Sequence, residues 1–297
     1  MIEIGSKKNK YTYNAYHIVK SFFPGEEIIQ KVDEKQEPLV AVRLPGGSCF
    51  SLAPEEIHID AAGFGTEEAY EQAVKREVTR RLYRYLSEET GRTLAWGTLT
   101  GVRPTKIPME QLEQGASEEA AASFMMENYY VSPEKARLAA EVAARENVLL
   151  SRLDCEKGFS LYAGIPFCPS VCSYCSFSSS PIREWKERVD AYLDALIREL
   201  RWIGAHTEGR RPDTVYIGGG TPTTLEPAQL ERLMGAISES FDLSGLLEFT
   251  VEAGRPDSIT EEKLKVLKDF PVSRISVNPQ TMQQKTLDLV GRRHTVE

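Results

Sequence analysis

The sequence predicts an α/β chain in two parts: a mixed α+β and then helical domain over residues 1–155, and a strand–helix repeat over 156–297. Three observations carry this reading. Proline and glycine pairs cut the first sixty residues into short segments, long helical periodicities follow, and from residue 159 short apolar runs alternate with amphipathic stretches.

The first unit, residues 1 to about 60, predicts a helix over 11–23 and strands over 27–32 and 39–44, with Pro24-Gly25 and Pro45-Gly46-Gly47 as breaks. A helix over 67 to about 90 follows from Tyr70, Val74, Val78, Leu82 and Leu86, which recur every four residues between Thr66 and Gly91 as start and stop signals. Two further helices are predicted at about 117–130 and 133–151, the second opened by Ser132 as N-cap and Pro133 at its first position. Downstream, strands at 159–165, 214–217, 247–251 and 274–277 alternate with helices at about 184–204, from 227, after 260 and ending near 290. Parallel strands joined by helical crossovers make either a barrel or a doubly wound sheet.

With 41% hydrophobic residues, 297 residues suffice for about two cores. A formal net charge of -8, with basic residues interspersed among acids, argues against a nucleic-acid partner. No apolar run approaches the roughly 18 residues of a membrane span, and the start lacks a secretory pattern, so a cytoplasmic chain is expected. Five cysteines, an odd count, point to a metal or redox site rather than a disulfide framework. The glutamate pairs and His17, His58 and His206 read as solvated or packing residues.

The chemistry starts after the first strand of the repeat, where Cys168, Cys172 and Cys175 lie within eight residues. Spacings of four and three let one short loop wrap an inorganic core. A cubane has four irons, so three cysteines leave one iron open to an exogenous ligand such as the amino and carboxylate groups of S-adenosylmethionine. A structural zinc site is the competing reading, but it needs a fourth ligand that the neighbouring sequence does not offer. Phe167, Tyr174 and Phe177 interleave with the cysteines and are expected to shield the site; Cys49 and Cys155 are expected to be buried apolar-like residues. The second strand ends in Gly218-Gly219-Gly220-Thr221-Pro222, a turn that lets backbone approach a ligand. The third ends at Glu252 and the fourth leads to Asn278-Pro279-Gln280, so four strand ends deliver polar or glycine-rich elements to one face.

Residues 162–177, Gly218 to Pro222, Glu252, 274–280 and 289–295 together resemble the radical S-adenosylmethionine family of oxygen-independent coproporphyrinogen III oxidases, and 1–155, including 99–106, is similar to its HemZ-type coproporphyrinogen dehydrogenase branch. The resemblance implies a partial (β/α)6 barrel, truncated here after about four β/α units. It also implies a [4Fe-4S] cluster on Cys168, Cys172 and Cys175, and one or two S-adenosylmethionine molecules. Tyr162, Gly219 and Glu252 match positions for the first, Glu252 on the ribose diol; Tyr174, Gly220, Thr221, Gln280 and Arg292 match positions for a second. No catalytic side chain is assigned. A 5'-deoxyadenosyl radical would take a hydrogen atom from a propionate of coproporphyrinogen III. Loss of carbon dioxide and one electron then leaves a vinyl group, and two rounds give protoporphyrinogen IX. Arg292 and Arg293 suit carboxylates of substrate or methionine. A flavodoxin or ferredoxin is the implied class of electron donor.

Two residues depart from the oxidase pattern. Gly164 stands where the oxidases often carry histidine, and Phe177 where they carry a further cysteine; phenylalanine also occurs there in heme chaperones of the family. These departures leave two alternatives, a heme chaperone that passes on heme and a radical heme-degrading methyltransferase. The resemblance also implies two more strand–helix units and a substrate-covering domain, so a fragment with an unpaired sheet edge is expected.

Overall fold

Ile2 and Ile4, two residues apart and both fully buried, show the alternation that makes the first residues a strand. The protein is represented by a computed structural model describing residues 1–297, which divide into two units, Met1–Leu149 and Leu150–Glu297.

In the first unit, β1 (Ile2–Ser6), α1 (Asn9–Phe22), β2 (Ile28–Val32), β3 (Val40–Arg43) and β4 (Cys49–Leu52) form a sheet of order β2-β1-β3-β4. β2 runs parallel to β1 through the α1 crossover, whereas β3 and β4 are antiparallel. α2 (Glu67–Thr90) packs Val74, Val78, Leu82 and Leu86 into the core of that sheet. Thr66 Oγ1 caps it by accepting from the Ala69 amide at 3.2 Å, and Gly91, at φ 63°, ends it. α3 (Lys106–Glu113), α4 (Glu118–Tyr129) and α5 (Pro133–Leu150) surround a second core of Ala121, Ala122, Met125, Ala136, Ala139 and Ala140. Small residues let these helices approach closely. β1, β4 and α3 are not among the elements predicted from the sequence.

In the second unit, β5 (Gly158–Ile165) is followed by β6 (Phe167–Cys168), β7 (Ser180–Pro181), α6 (Ile182–Trp185) and α7 (Val189–Ala205). Then come β8 (Arg211–Gly219), α8 (Pro227–Ser240), β9 (Glu248–Ala253), α9 (Glu261–Lys268), β10 (Arg274–Val277) and α10 (Gln284–Leu289). The main sheet has the order β10-β9-β8-β5, with every pairing parallel. Strands therefore neighbour one another in chain order, without the reversal that defines a doubly wound sheet. One face carries Leu161, Ala163, Ile165, Val215, Ile217, Phe249 and Val251, packed against Leu193 and Leu200 of α7, Leu230, Leu233 and Ile237 of α8, and Leu267 of α9. Residues of the opposite parity, among them Ser160, Tyr162, Thr214, Tyr216, Thr250 and Glu252, line the other face and are mostly polar. Helices on one face, strands in sequential order and a polar inner face are the wall of a partial (β/α) barrel. At its edge, β10 leaves Ile275 and Val277 41% and 47% exposed. No helix of the chain is long and apolar enough to cross a membrane.

Phe249, with no exposed surface, sits at the centre of this wall. Phe249→Ala is expected to cost about 3–5 kcal/mol, read as a lower urea midpoint for the second unit; an unchanged midpoint would contradict the packing described.

Candidate functional site

The cysteine loop is clamped at its base. β6 and β7 pair in parallel, Phe167 with Ser180 and Cys168 with Pro181, and the Ser180 amide donates to the Pro166 carbonyl at 2.9 Å. Residues 169–179 are thereby held as one loop at the C-terminal end of β5. Within it the Cys175 amide donates to the Cys172 carbonyl at 3.0 Å, folding the last two cysteines into one turn.

The glycine-rich segment after β8 is hydrogen-bonded to this base. The Gly220 amide donates to the Ile165 carbonyl and the Thr221 amide to the Phe167 carbonyl, both at 2.8 Å. Thr221 Oγ1 then lies 3.3 Å from Cys168 Sγ. A Cβ at position 220 would fall 2.8 Å from the Phe167 carbonyl oxygen and 3.0 Å from Cys168 Sγ, so only glycine allows the approach. Cys168 is buried, and burial pushes its thiol up, against the opposing hydrogen bonds of Thr221 and Ser179. Cys172 and Cys175 are half-buried, with Sγ atoms 3.9 Å from Arg255 Nη1 and 3.8 Å from Ser179 Oγ. Deeper, Lys263 Nζ donates to the carbonyls of Thr223 and Ser258 at 2.7 and 3.1 Å, and the Thr223 and Ser258 hydroxyls meet at 2.6 Å. These contacts fasten the turn after β8 to the turn after β9.

Beside the loop lies an open cleft of about 550 Å³, lined by Tyr162, Phe177, Tyr192, Tyr216, Gly219 and Glu252 among others. Register explains its composition: Tyr162 pairs with Tyr216, and Tyr216 with Thr250, so the two tyrosines stand side by side on the inner face. Their rings stack at 5.7 Å with 10° between planes. Tyr216 Oη donates to Glu252 Oε1 at 2.6 Å. Burial, reinforced by that bond and the carboxylate charge, pushes Tyr216 up to about 12, which keeps it a neutral donor. Burial and Glu252 likewise raise Tyr162. A Cβ at Gly218 would meet Tyr216 Cε1 at 2.6 Å and both Glu252 Oε2 and Tyr162 Oη at 3.1 Å, so the three side chains converge over a glycine floor. Tyr192 Oη donates to the Gly164 carbonyl at 2.6 Å. A larger hollow of about 690 Å³ over residues 183–188 contains none of the expected site residues.

The structure thus brings Tyr162, Gly219 and Glu252 into one cleft, with Gly220 and Thr221 against Cys168. Tyr174 and Arg292 stand at the cysteine loop instead, where the Tyr174 hydroxyl meets Cys172 and the Ser173 amide and Ser170 hydroxyl donate to the carbonyls of Val290 and Gly291 at 3.1 and 2.9 Å. Arg292 is 4% exposed and spends its guanidinium on the carbonyls of Asn278, at 2.6 Å, and Gly254, with Nε unpartnered. Gln280 is exposed at φ 69°, and Arg293 is exposed. The expected aromatic shield is also only partial: Phe167 is buried, but Tyr174 and Phe177 are 56% and 74% exposed. Cys49 and Cys155 are exposed rather than buried, Cys49 on a strand whose alternate residues Phe50 and Leu52 face the core. Sequence reasoning missed Tyr216, although its spacing of two from Gly218 places it on the same face, and Arg255, for which no sequence signal exists.

The donor set fits an iron–sulfur cluster. Thiolates are the ligands such clusters take, and three come from one loop whose backbone is fixed at both ends.

Comparison with known proteins agrees with this donor chemistry. Residues 162–297 match the Radical SAM superfamily model. The chain is 40% identical over 235 residues to the oxygen-independent coproporphyrinogen-III oxidase-like protein HemZ of Bacillus subtilis, covering 78% of this chain and 47% of that protein. It is 44% identical over 140 residues to the heme chaperone HemW of Lactococcus lactis (47% of this chain, 35% of the relative). It is 33% identical over 142 residues to the oxygen-independent coproporphyrinogen III oxidase of Escherichia coli (48% and 31%). The solved structure of the Escherichia coli oxidase HemN matches with a TM-score of 0.44 and 31% identity over 50% of this chain and 34% of that one. The chain spans about half or less of the length of these relatives. A family defined by a [4Fe-4S] cluster and S-adenosylmethionine thus matches the stretch that holds the three thiols and the cleft: residues 162–297 are a Radical SAM superfamily domain.

Proposed function

We propose that Cys168, Cys172 and Cys175 hold a [4Fe-4S] cluster, that S-adenosylmethionine occupies the adjoining cleft, and that the protein to which this chain belongs converts coproporphyrinogen III to protoporphyrinogen IX without oxygen. The observation that carries the reading is the closeness of Cys168 to Thr221 and Gly220, next in chain to Gly219, which lines the same cleft as Glu252. The bound group supplies reductive cleavage of S-adenosylmethionine to an adenosyl radical. The chain's own residues do the rest. Glu252, oriented by Tyr216, accepts from the ribose diol; the Gly218–Gly220 floor leaves room for the adenosine and methionine portions; and the stacked Tyr162 and Tyr216 form one wall of the cleft. Each propionate loses a hydrogen atom, carbon dioxide and one electron. A one-electron acceptor takes up that last electron, and a flavodoxin or ferredoxin reduces the cluster. The substrate assignment is supported by the HemZ match, which runs over 78% of this chain and so extends well upstream of residue 162. Gln280 and Arg292 remain candidate positions for a second S-adenosylmethionine only if the segment around them rearranges, since Arg292 is engaged with backbone here.

Heme transfer is the second reading, favoured by Phe177 in place of cysteine and by 44% identity to a heme chaperone. Anaerobic incubation of the reconstituted full-length protein with coproporphyrinogen III, S-adenosylmethionine and a reductant separates the two. Loss of two carbon dioxide molecules by mass supports the oxidase. Stoichiometric heme binding with no vinyl product supports the chaperone.

Two variants test the site itself. Gly218→Ala should leave iron content unchanged while weakening S-adenosylmethionine binding about tenfold, equivalent to ~1.4 kcal/mol, measured by calorimetry; unaltered binding would remove S-adenosylmethionine from this cleft. Iodoacetamide should label all five cysteines of the metal-free chain, Cys168 most slowly because it is buried. After reconstitution only Cys49 and Cys155 should still react, and labelling of Cys172 or Cys175 at its former rate would dismiss them as ligands.

A further inference from the structure

Arg255 is 2% exposed, three residues beyond Glu252, in a turn with no visible task in the cleft. A buried guanidinium persists only when its donors are matched. Nε and Nη2 form a bidentate pair with Asp257, at 3.1 and 2.9 Å. Nη1 points elsewhere. It donates to the Ser170 carbonyl at 2.9 Å and the Ser170 hydroxyl at 3.2 Å, and it reaches Cys172 Sγ at 3.9 Å. The base of the side chain is fixed as well, because the Arg255 carbonyl accepts from the Ser258 amide and hydroxyl, at 2.9 and 2.7 Å. Ser258 is the residue tied to Thr223 and Lys263. A single cation thus runs from the turn after β9 into the middle of the cysteine loop.

We propose that Arg255 is a positioning residue for the Cys172 arm of the loop and tunes the reduction potential of the cluster through the Cys172 sulfur, with Asp257 as its counter-charge. The proposal rests on the cluster assignment above. One-electron reduction adds negative charge to the cluster and its thiolates. A guanidinium N–H aimed at one of those sulfurs favours the reduced form, so it raises the potential. The Asp257 carboxylate, on the far side of the guanidinium with its side chain 21% exposed, offsets part of that effect. The two residues therefore act with opposite sign. Removing Arg255 lowers the potential and removing the Asp257 charge raises it.

The test is a dye-mediated redox titration, followed by electron paramagnetic resonance, of the anaerobically reconstituted full-length protein without S-adenosylmethionine, with iron and sulfide counted for each sample. The parent should carry one cluster. Arg255→Gln should shift the midpoint to more negative values, Arg255→Lys should shift it less, and Asp257→Asn should shift it to more positive values. If Arg255→Gln fails to assemble a cluster, the Arg255→Lys and Asp257→Asn pair still gives the two signs. Midpoints equal to the parent's, or shifts of the same sign in the arginine and aspartate variants, overturn the proposal while leaving the cluster assignment intact. A parent that takes up no iron and sulfide overturns both.

Discussion

Two backbone hydrogen bonds, from the Gly220 and Thr221 amides to the Ile165 and Phe167 carbonyls, hold the site together. They join the end of β8 to the root of the cysteine loop, and they set the distance between the Cys168 thiol and the floor of the cleft. Any side chain at position 220 would force these strands apart, so the glycine run acts here as a spacer of fixed and minimal width. The geometry of the thiols follows from the sheet rather than from the loop itself.

The sheet in turn sorts its residues by parity. Leu161, Ala163, Ile165, Val215, Ile217, Phe249 and Val251 face the helices and supply the apolar burial that stabilises the wall. Their alternates, Tyr162, Tyr216 and Glu252, face the cleft. A one-residue slip in the pairing of β8 would exchange the two sets, placing Glu252's donor in the core and an isoleucine in the cleft. Core packing and the lining of the cleft are therefore two consequences of one register, and burying Phe249 also fixes where Glu252 points.

Much of this was legible in the sequence. The four strand–helix repeats, the three-cysteine loop and the glycine run all carry local signals, namely period, spacing and composition, and the structure places them at adjacent strand ends. The helix limits of α2 were readable from Thr66 and Gly91 for the same reason. Long-range relations were not. That Tyr216 donates to Glu252 depends on the offset between β8 and β9, and that Arg255 reaches Ser170 and Cys172 depends on a separation of more than eighty residues. Arg292 shows the converse: its residue type suits a carboxylate, yet neighbouring carbonyls claim the guanidinium first. Exposure of Cys49 was equally hidden, because it depends on which face of a four-residue strand turns inward.

Three thiols on one loop next to a tyrosine–glutamate cleft make chemical sense if a cluster iron without a protein ligand faces that cleft. Electron-nuclear double resonance on the reduced, reconstituted protein with S-adenosylmethionine labelled by 17O in its carboxylate addresses this directly. A resolved 17O coupling, lost on Cys168→Ala substitution, is the predicted result. A cluster spectrum that carries no trace of the label would contradict it.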